Sequence, residues 1–162
     1  MQKKNGFSLI ELLIVVAIIL IIAAIAIPTL TRARVAADES SAVGSMRTIN
    51  SAEISYNAAY PAVGFTTTLT QLGGTGGACT PSTATGCFID SVLSSGTKSG
   101  YLFTPALNGT ATVPLNNYSV IATPQFPTYT GARYFCSFED AVVRYSTATL
   151  TNPCPATAGG IQ

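Results

Sequence analysis

Glu11 is the residue whose surroundings most demand a chemical explanation. It stands in a run, Phe7 to Ile27, in which Ser8 is the only other polar side chain. A carboxylate costs about 2.5–3.5 kcal/mol at the centre of a bilayer, so one kept there marks function and calls for an opposite charge. The second candidate set is the four cysteines, Cys79, Cys87, Cys136 and Cys154. Four thiols permit two disulfides in any of three connectivities, or a metal site. Pairing of nearest neighbours, Cys79 with Cys87 and Cys136 with Cys154, is preferred, and loop entropy assigns these closures roughly 2.5 and 3 kcal/mol. Zinc is the alternative, although neither spacing is that of a short knuckle and the chain has no His. The third set is Glu139-Asp140, which could take calcium but as adjacent acids in a hairpin suits a solvated turn.

Most other chemistry is missing. Without His, the chain lacks the commonest general base and the commonest metal ligand. It has no G-x-S-x-G and no carboxylate pair with supporting ligands, and no Gly-Lys-Ser/Thr follows the glycine-rich loop Gly73-Gly74-Thr75-Gly76-Gly77. A formal net charge of +1, with 9% of 162 residues charged, leaves no electrostatic footprint for nucleic acid. The expectation is a protein that is not an enzyme and carries no cofactor and no resident metal. Asn108-Gly109-Thr110 and Asn117-Tyr118-Ser119 have the N-x-S/T form, a weak signal on its own. Surface Ser and Thr leave O-linked sugar open without naming a site.

These residues must be positioned by a few elements. As a helix, Phe7–Ile27 is roughly 30 Å long, one hydrocarbon thickness. Lys3 and Lys4 in the leader Met1-Gln2-Lys3-Lys4-Asn5-Gly6 favour a cytoplasmic N-terminus, although Arg32 and Arg34 beyond the run weaken the bias. A secretory signal peptide ending at Ala24-Ile25-Ala26 and a plain anchor both fit the composition. Glu11 argues against both, since neither has a use for an acid there. Pro28 has no N–H and clashes with the preceding turn, so a kink is expected at residues 24–28. From Leu30 to Ala59 the pattern is that of an amphipathic helix, with Val35, Ala42, Met46, Ile49 and Tyr56 at spacings of three, four and seven, and Asp38, Glu39, Arg47 and Glu53 between them. Pro61 closes it. The remainder, 61–162, reads as a small head with a short helix over Phe88–Leu93. Its strands are expected at Tyr101–Thr104, Tyr118–Thr123, Arg133–Phe138 and Ala141–Ser146, the last two forming a hairpin around Glu139-Asp140. Alternation in Arg133–Phe138 fits a sheet with one face on the helix. An even cysteine count in a Thr-rich head beyond a membrane segment places that head on an oxidising side.

The order Gly6-Phe7-Ser8-Leu9-Ile10-Glu11, then an unbroken apolar stretch and Pro28, resembles the N-terminus of type IV pilins and the related pseudopilins. The resemblance is dense over residues 3–37. It implies an α+β fold: a long N-terminal helix, half filament core and half amphipathic, packed on a small antiparallel sheet. The parts would be a cleaved leader at 1–6, a membrane and filament-core helix at 7–28, its amphipathic continuation at 29–60, and the head at 61–162. It further implies cleavage between Gly6 and Phe7 by a prepilin peptidase and N-methylation of Phe7. Cleavage creates an amine on Phe7, and Glu11, one turn along the same face, would neutralise the amine of a neighbouring subunit and set the register of a helical homopolymer. An unpaired charge in an apolar bundle costs several kcal/mol. Other implied partners are an assembly platform protein, its ATPase, membrane lipid before assembly, and an outer-membrane secretin as an optional exit. The subunit would span the inner membrane, head outside, before entering an extracellular pilus serving adhesion, motility or DNA uptake. A C-terminal disulfide loop, common in pilins and less so in pseudopilins, favours the pilus over a type II secretion piston. An exported binding module with a disposable signal peptide is the remaining alternative.

Overall fold

The computed structural model describes residues 7–74, 76, 79–107, 114–151, 153–155 and 159–160. The leader with Gly6, the loop residues Thr75 and Gly77, and the Asn108-Gly109-Thr110 sequon lie outside the described residues. The chain divides into two compact units, one ending at Arg34 and one beginning at Val35. Helix α1, Leu9–Ala59, contributes to both.

In the first unit α1 is built from Leu, Ile, Val and Ala and continues past Pro28. The proline has no N–H to give, and the neighbouring threonines engage carbonyls of that turn. Thr29 Oγ1 donates to Ile25 O at 2.6 Å and to Ala26 O at 3.1 Å, and Thr31 Oγ1 donates to Ile27 O at 3.1 Å. The large apolar side chains from Leu9 to Ile27 are all exposed. This is a helix long and apolar enough to cross a membrane, and its most apolar stretch is not buried by the chain itself.

In the second unit the later turns of α1 lie on an antiparallel sheet of six strands in the order of the chain: β1 Thr97–Lys98, β2 Tyr101–Ala106, β3 Ser119–Pro124, β4 Tyr134–Phe138, β5 Arg144–Ser146 and β6 Gly159–Gly160. Each strand pairs with the next in sequence. Side chains alternate across a strand, so β3 and β4 feed two apolar clusters. Phe103, Val120, Ala122 and Phe135 join Ala42, Met46, Ile49 and Tyr56 of α1 in the main core. Ile121 and Cys136 point the other way and are covered by Cys154, Leu150 and Phe138. Thus one sheet face does rest on the helix, as expected, while the chain's own C-terminal segment covers part of the opposite face.

Three local expectations need correction. The short helix placed at 88–93 is α3, Ser91–Ser94, because the Asp90 side chain accepts the Leu93 N–H and caps it there. The strand placed at 141–146 shortens to Arg144–Ser146: Ala141 adopts φ 58° and Asp140 accepts the Val142 N–H, which widens the turn. The expected four strands become six, because β1 and β6 are two-residue pairings too short for a sequence pattern. A further helix, α2 at Leu69–Gly73, is opened by a capping box between Thr68 and Gln71. Pro105 is tolerated in β2 because the pairing with β1 ends at Leu102, with one more bond from Phe103 N–H to Gly96 O at 2.7 Å, before the position of its missing N–H.

Candidate functional site

Phe7 and Glu11 sit at the start of α1, and Glu11 is the acidic residue of its first turn. The helix begins at Leu9, with the Leu12 N–H bonded to Ser8 O at 3.2 Å. Phe7 is 80% exposed, and Glu11 is flanked by exposed Ile10, Leu12, Ile14 and Val15, with exposed Ser8 one turn before it. Among the described residues Glu11 has no hydrogen-bond or ion partner. The site is therefore a carboxyl group at the start of an exposed apolar helix, without a partner among the described residues.

The head treats its carboxylates differently. Glu39, 5% exposed, accepts the N–H groups of Ala132 at 2.9 Å and Arg133 at 3.1 Å, and its other oxygen pairs with the Arg133 guanidinium. Burial raises its pKa, but these donors together outweigh burial and leave it below the usual range. Glu53, 1% exposed, has no cation. It accepts the Thr66 N–H at 2.9 Å and the Thr66 hydroxyl at 2.6 Å. Burial pushes its pKa up to about 7 against the pull of those two bonds. Between them, buried Asn50 takes a hydrogen bond from the Tyr118 hydroxyl at 3.0 Å and donates to Ser137 Oγ at 2.9 Å and Ala141 O at 3.0 Å. These three side chains tie α1 to the loop after it, the sheet and the β4–β5 hairpin. Read from spacing alone, Glu39 and Glu53 pass for ordinary surface acids. A signal is nevertheless present: residues 39, 42, 46, 49, 53 and 56 alternate by three and four, so both acids lie on the stripe of Ala42, Met46, Ile49 and Tyr56.

Comparison with known proteins bears on the first of these sites. Residues 1–27 match the family model described as the prokaryotic N-terminal methylation motif. The chain carries a prepilin-type N-terminus. This is the motif of type IV pilins and pseudopilins; it implies processing by a prepilin peptidase and assembly into a pilus-like polymer, and with the exposed apolar helix it fits a membrane-anchored precursor. It also indicates a structural subunit rather than an enzyme. No curated protein and no solved structure matches the chain.

Behind the prepilin-type segment, the head is cross-linked twice. Cys79 is joined to Cys87, and Cys136 to Cys154. The first bridge closes the loop before α3, where the Tyr56 hydroxyl donates to Thr83 O. The second fastens the C-terminal segment to β4, helped by Cys154 N–H donating to Ser119 Oγ at 2.9 Å. Glu139-Asp140 forms the β4–β5 turn, but Asp140 is engaged by Arg144, whose guanidinium also lies 4.1 Å from the centre of the Phe138 ring. That contact holds the Asp140 carboxyl below its usual range. Among the described residues no cluster of three or more His, Cys, Asp or Glu side chains is gathered for a metal.

Proposed function

We propose that this protein is the structural subunit of a type IV pilus, made as an inner-membrane precursor with its head outside and polymerised through α1 into an extracellular filament. The observation that carries the reading is the prepilin-type segment itself: an exposed apolar helix holding one carboxylate without a partner among the described residues. Prepilin peptidase cuts between Gly6 and Phe7, and the new Phe7 terminus is methylated. Its amine then meets Glu11 of an adjacent subunit. Lateral packing of Leu12 to Ile27 supplies adhesion. The amine–carboxylate pair supplies register, because a misaligned subunit buries both charges unpaired at a cost of several kcal/mol. Pro28 acts as a bend where the rod leaves the filament core. The two disulfides hold the head together outside the cell. Further partners of the reading are the assembly platform protein, its ATPase and an outer-membrane secretin.

The same motif opens the pseudopilins, so a short periplasmic piston of a type II secretion system is the second reading. The deciding experiment is intact-mass and N-terminal peptide analysis of protein sheared from cells without reductant. The expected species begins at methylated Phe7 with both disulfides closed, and its abundance in the sheared fraction separates pilus from piston. A mature chain beginning at Ile27 would mean that the helix is discarded as a signal peptide, and would overturn the filament reading.

A further inference from the structure

From Val35 onward the cations are Arg47, Lys98, Arg133 and Arg144. Three are satisfied within the chain: Lys98 by Asp90, Arg133 by Glu39 and Arg144 by Asp140. Arg47 is exposed and has no hydrogen-bond or ion partner among the described residues. The acids show the same remainder. Glu53 is buried on Thr66; half-buried Asp38 and exposed Glu139 have no hydrogen-bond or ion partner among the described residues, and Glu139 is the more exposed of the two.

The two leftovers have complementary settings. Arg47 borders a recess of about 350 Å³ on the outer face of α1, lined by Thr48, Ser51, Ala52, Ser55 and Phe88. Thr48 and Ser55 donate their hydroxyl protons to Gly44 O and Ser51 O, while the Ser51 hydroxyl remains available. The recess therefore offers a guanidinium and a hydroxyl as donors, with Ala52 and half-exposed Phe88 as an apolar wall for a short alkyl stem. Glu139 supplies that shape: a carboxylate on two methylenes at the tip of the β4–β5 hairpin. The tip is stiffened by the Asp140–Arg144 pair, by Ala141 N–H to Phe138 O at 2.8 Å, and by Asn50 to Ala141 O. Exposed apolar side chains flank both halves, Ile54 two turns from Arg47 on α1 and Val142 on the hairpin.

We infer that the Arg47 recess of one copy of this chain receives Glu139 of a second copy, forming a contact between heads that specifies how subunits meet. The inference rests on the polymer reading above. The contact is partly exposed, so its role is selectivity more than adhesion. In a helical polymer each copy would give its Arg47 recess to one neighbour and its Glu139 to another, a heterologous contact that propagates instead of closing a dimer.

The test uses the full chain in a host that assembles it, with sheared filament measured against the processed subunit left in the membrane. R47E and E139R, each alone, place like charges at every such contact and are expected to reduce sheared filament by about fivefold or more. Co-expression of the two single variants is expected to restore it. In a mixed filament, the two substituted positions then face each other in one contact with opposite charges, and the two unchanged ones do so in the next kind of contact at the cost of neither. The double variant, with both charges reversed in one chain, is expected to restore filament as well. Single variants that assemble like the wild type would overturn the contact. Rescue by the double variant without rescue by co-expression would place the pair inside one subunit, and absence of any rescue would show that the residues do not meet. A wild-type chain that yields no filament would overturn the polymer reading, and this proposal with it.

Discussion

Glu11 and Glu53 are both carboxylates on one helix, both among apolar side chains, yet their environments resolve in opposite ways. Glu53 is buried by its own chain and finds both of its partners in Thr66. Glu39 does the same with Arg133 and two amides. In fact no buried side-chain polar atom among the described residues of this protein lacks a hydrogen bond. Glu11 has no such partner among the described residues, and the apolar surface around it is exposed. One region of the molecule satisfies its polar groups internally, and the other leaves its acid open. On the filament reading, the company of the apolar helix and its acid is first lipid and then further copies of the chain.

The sharpest way to break that contrast is Glu11→Ala. Processing and N-methylation should continue, but surface filament should be lost, because each register contact forfeits an interaction on the order of several kcal/mol. Wild-type amounts of sheared filament from this variant would remove Glu11 from the assembly mechanism.

The next effect separates the two kinds of acid by pH. The folded pKa of Glu53 is about 7 against an ordinary value of 4.5, so the folded head binds more protons than the unfolded chain between those values. Stability contributed by the neutral form is present in full below about pH 4.5 and is lost as pH rises through about 7. The loss should total roughly 3 kcal/mol. In denaturant unfolding of the detergent-solubilised protein from about pH 5 to 8, Glu53→Gln should flatten most of this decline. The amide can still accept the Thr66 N–H through its carbonyl oxygen while donating to the Thr66 hydroxyl. A decline of equal size in the variant would mean that another group carries it.

Smaller effects should follow from the remaining acids of the head. Glu39→Ala leaves two backbone donors and the Arg133 guanidinium without their acceptor and should cost about 2 kcal/mol in the same unfolding measurement. Because the folded pKa of Glu39 is depressed, its stabilisation is present above the ordinary carboxylate range and lost on acidification, opposite in sign to Glu53. Asp90→Ala removes the cap of α3 and the exposed pair with Lys98, and should cost about 1 kcal/mol.

The N-terminal site is more legible in the sequence than the head because its signal is local. Phe7, Glu11 and Pro28 lie within a few turns of one helix, and an acid in an apolar run is conspicuous without knowing the fold. The helical half from Leu30 to Ala59 is equally plain from Ala42, Met46, Ile49 and Tyr56. What makes Glu39 and Glu53 important is tertiary: Arg133 and Thr66 reach them only after folding, and an acid between apolar positions looks solvated until its place on the stripe is counted. β1 and β6 escape a sequence reading because two residues carry no alternation. Helix α2 does have a local mark in the Thr68–Gln71 box, overshadowed by the glycine-rich loop that follows it.

The short outer strands have a consequence for a protein proposed to polymerise through its N-terminal helix. An open sheet edge invites the addition of a foreign strand, and a concentrated array of heads multiplies the opportunity. Here β1 and β6 are two residues each, and β2 beyond its bond from Phe103 N–H to Gly96 O contains Pro105, which has no N–H to offer an incoming strand. The head thus discourages cross-β growth at the places where it would start.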